Sequence, residues 1–296
     1  FGATDDWGVR FNAVLRDGET AVEDQDRSLS VFSLGTDYAG ERFRFSADLG
    51  YQDNRIDAPR PQVTPLAGVP AEPDADTNFA QPWTYTDEEQ LFGVVRGEYD
   101  LSDNISVWLG AGARKGEEAN VLANPSAAQD GSLTAYRFDN TREDDVISFD
   151  TGLSAEFMTG SIGHRVVVSA SSVKLESKNA YAFSSFFAPF ATDLYRPVDV
   201  APPAADFFIG GDLASPLKTE EVTNQSLAIA DTLSFLDGRL LATIGLRQQD
   251  IETKTFDYTS GQRLSGYSDD KLTPAFGLVY NATDEISVYG NHAESL

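Results

Sequence analysis

Apolar and polar residues alternate with a period of two through most of this chain, and a helical period is almost absent. In FRFSADLGYQDN, Phe43, Phe45, Ala47, Leu49 and Tyr51 share one face, while Arg44, Ser46, Asp48, Gly50 and Gln52 share the other. ISVWLGAGAR sets Ile105, Val107, Leu109, Ala111 and Ala113 against Ser106, Trp108, Gly110, Gly112 and Arg114. ISFDTGLSAEF sets Ile147, Phe149, Leu153, Ala155 and Phe157 against Ser148, Asp150, Ser154 and Glu156. About eleven such segments of roughly ten residues recur, the length of a tilted strand crossing a bilayer. Two are less clean. The run 166–173 drifts in phase, and Asp231 interrupts the apolar face of Leu227, Ile229, Leu233 and Phe235. A bulge at either place would account for the irregularity.

The connections alternate as well, short then long. The short ones are YAGER (38–42), DLSDN (100–104), MTGSIG (158–163), LDGR (236–239) and NATDE (281–285). The long ones run over 55–89, 115–146, 177–221 and 253–270, and only 17–26 is modest. Loop length sorted by end is the habit of outer-membrane barrels, which have short periplasmic turns and long extracellular loops. Tyr38, Tyr99, Phe157, Phe235 and Tyr280 all sit beside short turns, as an interfacial girdle requires. The expected fold is therefore all-β, a strongly tilted antiparallel transmembrane β-barrel meander. Phe45, Leu49, Leu109, Phe149, Leu153, Ile244 and Phe276 should face lipid, and Arg44, Asp48, Asp150, Glu156 and Arg247 the lumen. A soluble sandwich or solenoid would have shorter strands and a more charged outer face.

Composition narrows the chemistry. The 296 residues are 41% hydrophobic, enough for one large domain or two ordinary ones. There is no run of eighteen apolar residues for a membrane helix, which leaves membrane β-structure open. No basic region followed by an apolar stretch comes after Phe1, so any secretion signal is expected to lie outside these residues. Cysteine is absent and His occurs only at His164 and His292, which excludes structural zinc, disulfides and thiol catalysis. A net charge of -25 argues against a nucleic-acid surface.

The formal motifs carry no enzyme. SSVK (171–174) matches Ser-x-x-Lys, but that chemistry needs a helix, and residues three apart on a strand face opposite ways. GAGARKG (110–116) lacks the spacing of a phosphate loop. EPDADT (72–77) and REDD (142–145) offer oxygen ligands for calcium, and a solvated acidic loop is the plainer reading. Glu88/Glu89 and Asp269/Asp270 flank strands without a second catalytic group. His164, beside a short turn, reads as interfacial. No catalytic residue, metal site or cofactor is expected.

Several stretches resemble the barrel of TonB-dependent outer-membrane receptors, in their ferric-siderophore branch. GVRFNAVLRDGET (8–20) is similar to an early strand and its outer turn, and FSLGTDYAGERFRFSADLGYQDNR (32–55) to the next hairpin. GHRVVVSAS (163–171) resembles a later upward strand, and DLYRPV (193–198) the Leu-Tyr-x-Pro segment of a large outer loop. LAIADTLSFLDGRLLATIGLR (227–247) resembles the Tyr-x-Gln-Asp strand and the Gly-Leu-Arg strand that follows it. There Ala228 and Ala230 replace Tyr and Gln, while Asp231, Gly245, Leu246 and Arg247 match. TPAFGLVYNATDEISVYGNHAES (273–295) matches the Pro-x-x-Gly-x-x-Tyr hairpin.

The resemblance implies a 22-stranded barrel preceded by a plug. About eleven strands make half of one, and a sheet with two open edges is not viable in lipid. Residues 1–296 are accordingly expected to be part of the barrel, with the plug, its energy-coupling box and the later strands lying outside them.

Aromatics also gather outside the expected strands. NAYAFSSFFAPFATDLYRP (179–197) holds Tyr181, Phe183, Phe186, Phe187, Phe190 and Tyr195, with Phe207 and Phe208 following. Phe79, Trp83 and Tyr85 form a second group. Such clusters mark contact surfaces, or else pack long loops against one another. In the resembling receptors, aromatics of the outer loops and upper barrel line the pocket for the iron chelate. That role falls best on Tyr181 and Phe183, with Phe187 and Tyr195 in the same stretch and Trp83 and Tyr85 as an opposing wall. Arg55, Arg60 and Lys115 emerge near outer strand ends and suit an anionic chelate.

The function implied is active uptake of a ferric siderophore across the outer membrane of a Gram-negative bacterium. Its expected partners are the TonB–ExbB–ExbD complex, reached through the plug, and outer-membrane lipid and lipopolysaccharide. The alternatives are a passive porin-like channel, or a TonB-dependent receptor for another large ligand such as a cobalamin, haem or oligosaccharide.

Overall fold

A computed structural model of the protein describes residues 2–4 and 6–296. The strands are β1 (Gly2–Thr4), β2 (Trp7–Arg16), β3 (Asp26–Ala39), β4 (Phe43–Asp57), β5 (Thr64–Pro65), β6 (Tyr85–Ser102), β7 (Ile105–Ala127) and β8 (Ser132–Thr159). They continue as β9 (Ile162–Phe183), β10 (Phe190–Asp193), β11 (Phe208–Gly210), β12 (Lys218–Phe235), β13 (Leu240–Phe256), β14 (Arg263–Asn281) and β15 (Ser287–Ala293). All belong to one sheet in the order β1-β2-β3-β4-β6-β7-β8-β9-β12-β13-β14-β15. Each long strand thus pairs antiparallel with the next long strand in sequence, which is the expected meander. β10 and β11 add antiparallel to β8 and β9, and β5 runs parallel to β7. No helix occurs among the described residues. β1 and β15 stand at the two ends of the order and do not pair with each other, so the sheet is open.

Successive strand residues point to opposite faces, and residues paired across a ladder point the same way. The register therefore assigns every side chain to a face. Phe11, Leu34 and Leu49 are consecutive partners across β2, β3 and β4, and Ile244 pairs with Phe276. On this face Leu49 is 52% exposed, Leu109 62% and Phe149 55%, which only an apolar medium tolerates over so wide an area. The opposite face carries the ions. Arg44 binds Glu98 at 3.1 Å and Asp100 at 2.7 Å, Arg10 binds Asp48 at 3.3 Å, and Arg165 pairs with Glu156. Arg96 and Trp108 both reach Asp150, and Arg247 donates to Ser226. The expected lipid and lumen sets thus separate cleanly.

The girdle holds too. Tyr38, Tyr99, Phe157, Phe235 and Tyr280 all fall on the apolar face next to the short turns, with Trp7 against Tyr38 at 4.9 Å between ring centroids. The irregularities read in the sequence turn out otherwise. Neither 166–173 nor Asp231 sits at a bulge, because the β8–β9 ladder and the β9–β12 ladder around Asp231 run without a break. Asp231 stays on the apolar face, with its Oδ2 at hydrogen-bond distance, 2.8 Å, from His164 Nδ1. The imidazole stacks in turn on Phe157, 4.8 Å between ring centroids. Asp231 lies four residues from the end of β12; a cross-strand partner rather than a bulge accompanies the irregularity, and Asp231 Oδ1 keeps no partner among the described residues.

Strand length is the main correction. β7, β8 and β9 have 23, 28 and 22 residues, far more than a bilayer needs. The stretch 115–146, expected as a loop, is ladder except for the tight connection 128–131. Likewise 253–270 is ladder except for 257–262. Only 58–84 and 184–217 are long outer connections. Glu88, Glu89, Asp269 and Asp270 consequently lie within β6 and β14 rather than flanking them.

Candidate functional site

The outer end of the sheet, opposite the short turns, begins where the apolar face runs out. On β7 that face reads Leu109, Ala111, Ala113 and then Lys115 and Glu117; on β8 it reads Phe149, Ile147 and then Asp145 and Glu143. β9, β12 and β13 change likewise at Ser172, Gln225 and Gln248. Five of the six lysines, Lys115, Lys174, Lys178, Lys218 and Lys254, stand on this one face just beyond the apolar band. They interleave with carboxylates: Lys178 binds Glu143 at 2.8 Å, Lys115 binds Glu117, and Lys218 reaches Glu176 at 3.4 Å. Glu221 is the hub of the group. Hydrogen bonds from Lys254 and Lys218, with help from Lys174, hold its carboxyl down at about 2.

Farther out, the β7–β8 hairpin presents two different surfaces. The continuation of the apolar face, with Ala123, Ala127, Leu133 and Ala135, is covered by the loops 58–84 and 184–217. Phe79 and Leu194 complete that small core, and Leu133 is 1% exposed. Gln81 locks the two loops together, donating to Val198 O at 3.1 Å and accepting from Val200 N at 2.8 Å.

The continuation of the polar face is aromatic. Phe138 pairs with Phe183 and Asn140 with Tyr181 across β8 and β9, while Phe208 pairs with Phe183 across β9 and β11. Their rings form one patch: Phe138–Phe183 at 4.6 Å, Tyr136–Phe186 at 4.9 Å, Tyr181–Tyr258 at 5.1 Å and Phe183–Phe208 at 6.0 Å between centroids. The centroid spacings are those of ordinary aromatic pairs. Gly210 is required here, because a Cβ on it would lie 2.5 Å from the Tyr181 ring. The patch is thus held on ladder positions rather than loop tips, and it faces the same way as Asp48 and Asp150. It is a rigid, apolar, inward-facing surface at the mouth of the sheet, suited to the body of a large ligand.

The residues expected at the site are divided by this geometry. Tyr181 and Phe183 are central to the patch, and they lie within β9 rather than at the start of a loop. Phe187 is 88% exposed and touches the patch through Phe207, at 5.7 Å. The opposing wall is not formed. Trp83 packs on Phe190 and donates to Val200 O at 2.8 Å, while Tyr195 donates to Ala71 O at 2.9 Å and packs on the Leu133 core. Both therefore lie on the other face of the hairpin, where they join loop to loop. Tyr85 and Arg55 stack on each other at 4.2 Å on the lysine-bearing face, and Arg55 is held by Asp57 and Asp87. Arg60 is bound to the Ala75 and Thr77 carbonyls. Lys115 is on the outer face with Glu117. Sequence reasoning missed Tyr136, Phe138 and Tyr258 as members of the patch. Alternation in TAYRFDN was the available signal for the first two. No group of metal-ligating residues occurs among the described residues.

The family model described as TonB dependent receptor-like, beta-barrel matches residues 10–296. The ferrichrome receptor FcuA of Yersinia enterocolitica is 33% identical over 302 residues, covering 100% of this chain and 39% of that protein. BauA, the ferric preacinetobactin receptor of Acinetobacter baumannii, superposes with a TM-score of 0.84 at 28% identity, covering 98% of this chain and 43% of that one. The siderophore receptor PiuA of the same organism superposes at 0.78 with 17% identity, covering 98% of this chain and 45% of that one, and supports the fold alone. The chain thus spans about two fifths of the length of the curated relative it matches. With the family model matched along nearly its whole length and the meander, girdle and segregated faces in place, this chain belongs to the TonB-dependent receptors, whose β-barrel wall it forms.

Proposed function

We propose that the protein of which this wall is part takes up a ferric siderophore across the outer membrane of a Gram-negative bacterium, driven through TonB. The observation that carries the reading is the aromatic patch of Tyr136, Phe138, Tyr181, Phe183 and Phe208. It sits on the inward face at the outer end, fixed by ladder pairing, where an arriving chelate first meets the barrel. Rigid aromatics bury a large area at little entropic cost, which suits capture of a bulky chelate. The names of the relatives, a ferrichrome receptor and a ferric preacinetobactin receptor, support the same class of cargo.

In this reading the open sheet is completed by further strands, and a plug within the closed barrel gates passage and contacts TonB. ExbB and ExbD act behind TonB, and lipid and lipopolysaccharide surround the apolar face. The wall itself performs no catalysis. It binds, orients and confines.

The test is uptake of radiolabelled iron by cells deleted for the gene and complemented with the full-length receptor. Supply as a ferric siderophore should restore uptake only when TonB is intact. Restoration without TonB would instead establish a passive channel, and restoration by haem or cobalamin alone would change the cargo.

A further inference from the structure

We infer that the chelate this site accepts carries no net negative charge. The inference rests on the uptake reading above and adds the charge class of the ligand. Below the aromatic patch, toward the apolar band, the inward face carries two rows of paired residues. One row runs Asn54, Glu88, Glu118, Arg142 and Asn179 across β4, β6, β7, β8 and β9. The next runs Gln52, Gln90, Gly116, Asp144, Ser177 and Glu220, reaching β12. Four carboxylates therefore face inward at this level against the guanidinium of Arg142 and, one row deeper, that of Arg114.

Both guanidiniums are already engaged. Asp144 takes Arg142 at 3.0 Å and Arg114 at 3.7 Å, and Glu118 and Glu220 add longer-range attraction on Arg142. Glu118 also accepts from the Asn120 amide. Glu88 and Glu220 have no cation within ion-pairing distance among the described residues. Arg27, on β3, is turned to Asn54 Oδ1 at 2.9 Å. Five of the six lysines stand on the opposite face, and the sixth, Lys271 on β14, faces inward several rows deeper and is already paired with Glu294 at 3.4 Å. Arg55 is on that same opposite face and Arg60 is tied within its loop, so neither meets a ligand on the patch.

The patch and the rows beneath it agree in sign. Aromatic faces carry negative quadrupole charge and attract cations and apolar groups, not anions. An anionic complex passing inward would next meet a wall whose charges sum to an excess of carboxylate. The phenols of Tyr136, Tyr181 and Tyr258 have no hydrogen-bond partner among the described residues, which leaves three donors for the ligand oxygens of an uncharged chelate. A neutral or cationic iron(III) complex, of the trihydroxamate kind, satisfies all of these features. A tris-catecholate or citrate complex satisfies none but the last.

The experiment measures quenching of intrinsic fluorescence in the purified full-length receptor by three iron(III) complexes. They are a neutral cyclic trihydroxamate, a linear trihydroxamate bearing a free ammonium, and a tris-catecholate trianion. The trianion should bind roughly tenfold or more weakly than the neutral complex, and the ammonium-bearing complex should weaken as salt rises. Combining Glu88→Gln, Glu118→Gln and Glu220→Gln should raise trianion affinity relative to the neutral complex. A trianion that binds as tightly as the neutral complex overturns the inference and leaves the uptake reading standing. Failure of all three complexes to bind a receptor that still migrates as a heat-resistant barrel overturns the uptake reading, and the inference with it.

Discussion

The β7–β8 hairpin carries one alternation through two environments. Near the short turns its odd-numbered residues, Leu109, Phe149 and Leu153, face lipid and its even-numbered ones, Trp108 and Asp150, face inward. Near its tip the parity is unbroken, yet Leu133 and Ala135 are now sealed under loops while Tyr136 and Phe138 open inward. The two regions share a backbone and differ only in what covers each face. A strand pair in this fold therefore fixes direction for every side chain over its whole length, and the loops decide which directions become core. Function can be placed on the tip because the lipid-facing part has already fixed its orientation.

Leu133 offers the hardest test of the sealed surface. It is 1% exposed in a core shared with Phe79, Ala127 and Leu194. Leu133→Ala should cost about 2–5 kcal/mol of local stability, as deletion of a buried leucine side chain does. Because this core joins loops rather than strands, the loss should appear as faster proteolysis within 58–84 and 184–217 with the heat-resistant barrel retained. Cleavage rates unchanged from the parent would mean the loops are held by the Gln81 hydrogen bonds instead.

The lipid-facing half is tested by charge. Leu109, at the centre of Ile105–Ala113 on the apolar face, should lose about 2–4 kcal/mol as Leu109→Arg, measured by denaturant unfolding in lipid. Its neighbour Gly110, on the polar face beside Asp150, should accept Gly110→Ser with little change, since an added Cβ would meet its nearest atoms at 3.7 Å. Equal losses at the two positions would reverse the facial assignment.

The same hairpin explains what could be read beforehand. The meander, the girdle at Tyr38 and Phe157, and the facing of Leu49 and Asp48 all follow from apolar–polar alternation, which lipid on one face enforces. Alternation of that kind stops at Lys115, where both faces become polar: Glu117 and Glu143 on one, Glu118 and Arg142 on the other. Period two continues in the backbone without a hydrophobic signal, so the sequence pattern there predicts a loop. Aromatic density singles out Tyr181 and Phe183, but the face they share needs the register with Asn140 and Phe138. Trp83 and Tyr195 have the same composition and the opposite location, and only packing against Phe190 and Leu133 distinguishes them. Asp231 stands out as irregular in the local pattern, and its partner His164 is a ladder away, beyond reach of that pattern.

The open surface of the tip should matter for ligand and not for assembly. Replacing Tyr181 and Phe183 together with Ala should weaken chelate binding by roughly 1–3 kcal/mol, as loss of interface anchors does. Trp83→Ala, on the sealed side, should leave binding within experimental error while exposing the loops to protease. Calorimetry on both variants in detergent separates the two faces. A larger binding loss from Trp83→Ala than from the double variant would place the ligand on the wrong side of the hairpin.

Between the two regions lies the lysine-rich belt, whose effect should be the smallest and depend on pH. Glu221 is 13% exposed at its side chain and is bound by Lys254 at 3.1 Å and Lys218 at 3.1 Å. Its carboxyl is lowered from 4.5 to about 2, so the folded state holds the charged form more strongly than the unfolded chain does. A lowered carboxylate contributes its stabilisation in full above the unfolded value and loses it as pH falls through the folded one. The contribution should therefore be constant above pH 4.5 and fade between 4.5 and about 2. Its size should be about 1 kcal/mol or less, because Lys174, Lys218 and Lys254 remain partly solvated and the network is screened by salt. Unfolding midpoints of the parent and of Glu221→Gln, followed from pH 7 to pH 2, should differ at neutral pH and converge on acidification. A difference that persists unchanged at pH 2 would mean that the belt acts through packing of the lysine stems rather than through the charge of Glu221.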